Sequence, residues 1–227
     1  MVMTKEMTEL ANVIKNRRSI RAWQDKPVPE ELLLQAIELA TWSPNGGNQQ
    51  NWRFYVVTNH QVIDAIADAV EAVAAEINSW PEIQKLNPPP APGAPPRPPA
   101  RKPGFFRQAP AMIVVGSNRI QTPQDLAMEE RNKHDPRAGV IREWRNTANA
   151  RVQSVAAAVS HLTLALHQAG LGAIWMTGPM QAKGDIERIL KMPANMDALA
   201  TIPVGYAAEA PVSRGRKAVA EVCEVIR

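Results

Sequence analysis

Apolar residues recur along this chain in two ways, every three or four positions in some segments and in short unbroken runs in others. Leu10, Val13 and Ile14 predict a first helix that runs into the basic stretch 16–21, and Pro27-Val28-Pro29 breaks the chain after it. Leu33, Leu34, Ile37, Leu39 and Ala40 predict an amphipathic helix over 30–41. Residues 43–47 (SPNGG) are loop chemistry, and 52–58 (WRFYVVT), rich in aromatic and β-branched residues, predict a strand. The alanine-rich stretch 61–77 predicts a helix, and 111–117 (AMIVVGS) a second, buried strand. Residues 121–144 are polar and mixed. One long helix is predicted over 146–169, apolar on most faces and ended by Gly170; its alanines suit close packing in the core or at a subunit interface. Further strands are predicted at 173–177 (AIWMT), 199–206 and 218–226, with a short helix at 183–191. There is no regular βαβ rhythm, no internal repeat, and neither a GxGxxG nor a P-loop motif.

Residues 88–103 (PPPAPGAPPRPPARKP) hold nearly half of the chain's 20 prolines, which rules out helix or central strand there. The stretch reads as a polyproline-type surface insertion. Composition adds exclusions more than assignments. The 227 residues suit one domain over 1–227 with a sizeable core, and a net charge of +4 without a long Lys/Arg tract gives no expectation of a nucleic-acid partner. A single cysteine, Cys223, precludes an internal disulfide framework; no metal is expected, and Cys223 is expected to be buried in the apolar alternation of 218–226. The N-terminus MVMTKEMTEL has no apolar h-region, and no apolar stretch reaches a membrane span, so a cytoplasmic enzyme without membrane contact is expected.

Four clusters carry candidate chemistry. Arg17-Arg18-Ser19-Ile20-Arg21 puts three guanidinium groups and a hydroxyl within five residues, a donor set suited to phosphate. Basic residues at a helix end also complement its dipole, and the cluster alone does not choose. Ser43 to Trp52 (SPNGGNQQNW) offers glycines for close backbone approach and carboxamides with donors and acceptors together, which match the edge of a flavin's pyrimidine ring or simply make a polar turn. Trp175-Met176-Thr177-Gly178-Pro179 and Arg214-Gly215-Arg216 follow predicted strands. The histidines at 60, 134, 161 and 167 are scattered; His161 and His167 lie on the long helix and read as packed or partly exposed side chains.

RRSIR, a Pro-Val-Pro break and then SPNGGNQQNWRFYVV resemble the N-terminal signature of the nitroreductase / NADH-oxidase family, usually RRSxR followed by APSxxNxQPW. LHQAGLGAIWMTGP resembles the family segment in which a long central helix ends in GLG before a strand, and IPVGYAAEAPVSRGRK resembles its GYxxExP with basic residues beyond. Asn45 stands where Ser is usual and Asn51 where Pro is usual, departures that bear on substrate choice more than on FMN binding. The resemblance implies an α+β fold, a central, mostly antiparallel sheet flanked by helices, in an intertwined homodimer with FMN at the subunit interface. It implies that Arg17, Arg18 and Ser19 contact the FMN phosphate and ribityl chain, and that Arg214 and Arg216 close on the phosphate. Arg21 would approach the N1/O2 edge and stabilise the charge of the reduced flavin. Pro44, Asn45, Asn48 and Gln50 would come from the other subunit to hold the ring, and Thr177 and Gly178 would line it near N5. The activity implied is ping-pong hydride transfer from NADH or NADPH to a nitroaromatic, quinone or related acceptor. Reductive dehalogenation, oxygen-dependent flavin chemistry and flavin binding without turnover are the alternatives. Residues 121–144 are expected to form an active-site cover, with Pro136 and Gly139 favouring a bend and with Arg131 and Trp144 meeting the substrate.

Overall fold

The computed structural model describes residues 5–86 and 101–227. Four strands, β1 (Trp52–Val57), β2 (Ala111–Asn118), β3 (Gly172–Ala173) and β4 (Met196–Gly205), form one sheet in the order β1-β2-β4-β3, every ladder antiparallel. The central strands β2 and β4 read as near-continuous apolar runs because both of their faces are covered. On one face, Ala111, Ile113, Ala200 and Ile202 pack against Leu33 and Ala36 of α2 (Glu30–Thr41) and against Val159 and Leu162 of α7 (Ala150–Gln168). On the other, Met112 and Val114 meet Ile63 and Ile66 of α3 (His60–Ser79) and Ile186 of α8 (Lys183–Ile189). The result is a three-layer α+β fold, as expected. α1 (Lys5–Asn16) lies against α7, and α4 (Pro81–Leu86) follows α3.

The helix predicted over 146–169 starts later, at Ala150, and residues 146–148 belong to the helix before it. Asn149 takes a left-handed backbone (φ +39°) that ends α6 (Pro136–Ala148), and its side chain accepts the Val152 N–H at 3.2 Å to cap α7. Residues 121–144 fold as a pair of packed helices, α5 (Pro123–Arg131) and most of α6. Thr122 and Asp125 form a capping box at the start of α5, and Pro136 opens α6 after the Asp135 cap. Gly139 sits where a Cβ would meet Asn132 Oδ1 at 2.4 Å, so it permits close approach of the two helices.

Three other expectations need correction. The strand predicted at 173–177 is a ladder of two residues, because Ile174 falls opposite Pro203, which has no N–H to return; pairing with β4 resumes only at Met176 and Thr201. The strand predicted at 218–226 is absent: residues 212–227 are exposed, with one 3-10 turn at Val219–Glu221, and they pair with no strand of the described sheet. Cys223 is therefore exposed, not buried. Most of the Pro-rich stretch (88–100) lies outside the described residues; beyond it, Arg101 donates to the Arg21 carbonyl at 3.2 Å and stacks over Phe105.

After α1 the chain runs extended beside β3. Ile20 N–H donates to Ala173 O (3.1 Å), Trp23 Nε1 to Gly172 O (2.9 Å), and Gln24 N–H to Tyr206 O (2.9 Å). Gly172 is required by this seating, because a Cβ there would come within 2.7–2.9 Å of the β-branched Ile20 side chain. Gly172→Ala is expected to cost about 1–3 kcal/mol by overpacking. Thermal denaturation checks this, and an unchanged Tm would show that residues 19–23 do not rest on β3.

Candidate functional site

The pairing just described holds Arg17 to Arg21 in one place. Arg17 is half-buried, and its guanidinium pKa is lowered first by burial, then by the facing charges of Arg216 and Arg18. Arg18 turns back and donates to the carbonyls of Lys15 (2.5 Å) and Arg17 (2.9 Å), satisfying the end of α1. Ser19 bridges to Ala173. Arg21 donates its backbone N–H to the Glu209 carboxylate and its Nη1–H to Ser19 O (3.2 Å). Among the described residues no carboxylate pairs with Arg17, Arg18, Arg21 or Arg216. Three guanidinium groups that face one another without an acid are a donor set for a multiply charged anion. Arg214, two residues before Arg216 on the exposed tail, makes no hydrogen bond or ion pair among the described residues.

Pro44, Asn45, Asn48 and Gln50 lie on a loop with a strained backbone. Gly47 (φ +62°), Asn48 (+51°) and Gln50 (+46°) are all left-handed, a conformation costing on the order of 1 kcal/mol at Gln50. Asn45 closes the loop by accepting the Gln50 N–H at 2.9 Å and donating to Ser43 O at 3.3 Å, so much of its carboxamide serves the loop itself. Gly46 N–H points to Ser154 in the first turns of α7 (3.5 Å). The arginine cluster lies at the other end of that helix, where Arg17 and Arg18 face His167. Ser154 and His167 are thirteen residues apart, or about 20 Å along a helix axis. One chain therefore carries the two motifs at opposite ends of α7. Thr177 and Gly178 are exposed at the start of a 3-10 turn, and a Cβ at Gly178 would meet nothing within 4 Å.

A cavity of about 560 Å³ opens between the Gly46–Asn51 loop, the α5–α6 pair and the start of α7. Its wall carries Asp125, Glu129, Arg142, Arg145 and Arg151. Arg145 pairs with Asp125 (2.7 Å), whose carboxyl is held down to about 2 by the Thr122 N–H and hydroxyl and then by Arg145. Arg142 and Glu129 pair more loosely, at 3.5 Å. Arg151 is fixed from behind by Asp197 (2.8 Å) and Ser117 O (3.1 Å). Arg131 and Trp144 do not line this cavity: Arg131 pairs with Asp135 at 3.0 Å, and exposed Trp144 lies under the Arg137 guanidinium. Sequence reasoning passed over Arg145, Arg151 and Asp125 as site residues, and no spacing in the chain marks them. Glu209 was overlooked too, although it is the Glu of the GYxxExP pattern.

The Nitroreductase family model matches residues 14–206. The chain belongs to the nitroreductase family. It is 27% identical over 209 residues to a candidate NADH dehydrogenase/NAD(P)H nitroreductase of Methanothermobacter thermautotrophicus, covering 91% of this chain and 81% of that one. It is 28% identical over 215 residues to an iodotyrosine deiodinase of Haliscomenobacter hydrossis, covering 91% and 83%. A nitroreductase of Desulfitobacterium hafniense solved with bound FMN superposes with a TM-score of 0.68 at 17% identity, covering 100% of both chains, which shows a shared fold. Among the described residues of this nitroreductase-family chain, no helix is long and apolar enough to cross a membrane.

Proposed function

We propose that the chain is an FMN-dependent oxidoreductase that takes electrons from NADH or NADPH and reduces nitroaromatic, quinone or related small-molecule acceptors. The observation that carries this reading is the convergence of Arg17, Arg18 and Arg216 without a carboxylate, beside the hydroxyl of Ser19. A flavin mononucleotide phosphate has the charge and the oxygen acceptors that this donor set fits. Arg17, Arg18, Ser19 and Arg216 would hold the phosphate, with Arg214 joining as the tail closes. Arg21, oriented by Glu209 and Ser19, would place a cation beside the ring. Thr177 and Gly178 would leave its edge open. When bound, FMN supplies the two-electron chemistry between nicotinamide and acceptor.

The working unit in this reading is a homodimer, in which Pro44, Asn45, Asn48 and Gln50 of a second copy complete the ring site. The separation of the two motifs along α7 supports it. So does apolar surface that no described residue covers: Leu10 and Ile14 on α1, Leu34 and Leu39 on α2, Trp42 at 78% exposure, and Val222 and Ile226 on the tail. The charged cavity beside the ring loop favours a second reading, reductive dehalogenation of an acceptor that itself carries charge; the deiodinase relative supports that reading as well.

The purified protein is expected to release FMN on denaturation, and anaerobic NADH or NADPH is expected to bleach its visible absorbance rapidly. Release of FAD, or no flavin after incubation with excess FMN, would overturn the assignment. Bleaching too slow for turnover would leave a flavin carrier. Re-oxidation by a nitroaromatic or quinone, set against re-oxidation with halide release from a halogenated phenol, separates the two enzymatic readings.

A further inference from the structure

Asn51 ends the loop before β1, and its backbone carbonyl accepts the Asn118 N–H at 3.0 Å. The residue is only 6% exposed and lines the cavity of about 560 Å³, where its carboxamide has no hydrogen-bond partner among the described residues. A buried carboxamide without a partner carries the full desolvation cost of a polar group. The family motif usually has Pro at this position, which offers no such group, so the carboxamide is a feature of this chain's own site. Arg151 is fixed next to it: its Nη1 donates to the carbonyl of Ser117, the residue before Asn118, at 3.1 Å and to Asp197 at 2.8 Å. Those bonds use one nitrogen of the guanidinium. Nε and Nη2 have no partner among the described residues, so three N–H donors remain on a side chain held from behind. The other charges of the wall answer one another, Arg145 with Asp125 (2.7 Å) and Arg142 with Glu129 (3.5 Å). Behind Arg151, Asp197 is shared with Arg119 and Lys183, and among the described residues Glu187 is the one further carboxylate in that group. Three cations against two carboxylates leave the Arg151 side of the cavity with one positive charge in excess.

We propose that Asn51 and the open edge of Arg151 form a carboxylate-binding subsite, and that the acceptor reduced by this enzyme carries one carboxylate. Reduction of that acceptor rests on the flavin reading above, whereas binding of the carboxylate does not. A guanidinium edge presents two parallel N–H donors that match the two oxygens of a carboxylate. The Asn51 amide donates to the same group, which supplies the buried carboxamide with the partner it lacks. One excess cation suits a monoanion. A phosphate monoester, with a charge of about −1.5 to −2 near pH 7, is better matched by the three unpaired guanidinium groups at the other end of α7. In the homodimer proposed above, Asn45, Asn48 and Gln50 meet the ring, while Gly46, Gln49 and Asn51 of the same loop line the cavity. The subsite therefore adjoins the ring, and a small acceptor anchored by its carboxylate keeps its reducible group beside the flavin.

The test is calorimetric titration of full-length protein saturated with FMN, using benzoate and its neutral analogue benzamide. Benzoate is expected to bind at least about tenfold more tightly, as one charge-assisted contact requires. Asn51→Leu and Arg151→Lys are expected to bring this preference down toward one. Asn51→Asp, which sets a further carboxylate in the cavity, is expected to reverse it. Asn51→Leu is expected to melt no lower than wild type, because it removes a buried polar group that has no partner. In turnover, the ratio of kcat/KM for para-nitrobenzoate to that for para-nitrobenzamide is expected to fall in the same order of proteins, although the amide is the more electron-poor ring. Equal binding of benzoate and benzamide by wild type, or a preference that survives both Asn51→Leu and Arg151→Lys, would overturn the proposal and leave the flavin reading standing. A clear fall in Tm for Asn51→Leu would overturn it too, by giving the carboxamide a structural role. If wild type binds no flavin, the same titration of the flavin-free protein decides the subsite by itself: a benzoate preference there would keep the subsite while the flavin reading falls.

Discussion

Arg17→Ala is expected to raise the Kd for FMN by roughly tenfold to more than a hundredfold, the equivalent of one lost charge-assisted phosphate contact of about 1.5–3 kcal/mol. The apoprotein is expected to be as stable as wild type or slightly more so. The reason is the electrostatics of the cluster: Arg17 is half-buried, faces Arg216 and Arg18, and has no carboxylate partner among the described residues. Its charge is a burden to the folded chain until an anion joins it. Arg17→Met, which keeps the apolar stem of the side chain, separates packing from charge. Titration of FMN into stripped protein and thermal melts of the same samples check both halves. An unchanged Kd would move Arg17 to the solvated surface. A fall in both affinity and Tm for Arg17→Met would give it a structural role.

Asp197→Ala is expected to destabilise the protein by about 2 kcal/mol, the range for losing charge-assisted hydrogen bonds to cations that stay partly solvated, and to lower Tm by about 4–8 °C in a chain of this size. Asp197 is the hub at the start of β4. Arg119 makes three hydrogen bonds to it (2.8–3.0 Å), Arg151 one (2.8 Å), and Lys183 one (2.7 Å). Removal would leave three cations with only Glu187, which holds Lys183 at 2.8 Å. The bond from Arg119, with those from Lys183 and Arg151, holds the Asp197 carboxyl well below the usual carboxylate range against the opposing effect of burial. A depressed carboxylate pKa contributes stability that is fully present above the unfolded value near 4 and lost only as pH falls through the folded value. Bonds to Asp197 and Glu187 outweigh burial to raise Lys183, so that contribution holds below about 10.5 and is lost as pH rises through the folded value. The gap in stability between wild type and Asp197→Asn is therefore expected to stay flat between about pH 5 and 9 and to narrow in strong acid. A gap that closes near neutral pH, in urea unfolding at fixed pH steps, would place the origin elsewhere. Arg151 also lines the cavity, so the same substitution tests whether that wall needs its anchor.

Much of the fold was legible because secondary structure follows repeats a few residues long. The apolar spacing over 30–41 matches the bounds of α2, and WRFYVV and AMIVVGS mark β1 and β2 to within a residue at each end. The arginines of RRSIR and RGR were readable as phosphate donors from side-chain chemistry, and the structure brings Arg17, Arg18 and Arg216 together. The predicted strands at 173–177 and 218–226 failed for reasons outside those segments. One lost its ladder to a proline on the neighbouring strand, and the other lies exposed and joins no strand of the described sheet.

The sequence by itself determined the helix over 30–41, the two strands β1 and β2 and the basic and carboxamide motifs, since each depends on residues close together in the chain. Only the tertiary structure decided which charges meet. Arg119 and Arg151 reach Asp197 across 78 and 46 positions, and the cavity wall joins a loop before β1 to two helices more than seventy residues later. Coulomb energy and burial depend on distance through space, which a one-dimensional spacing does not encode.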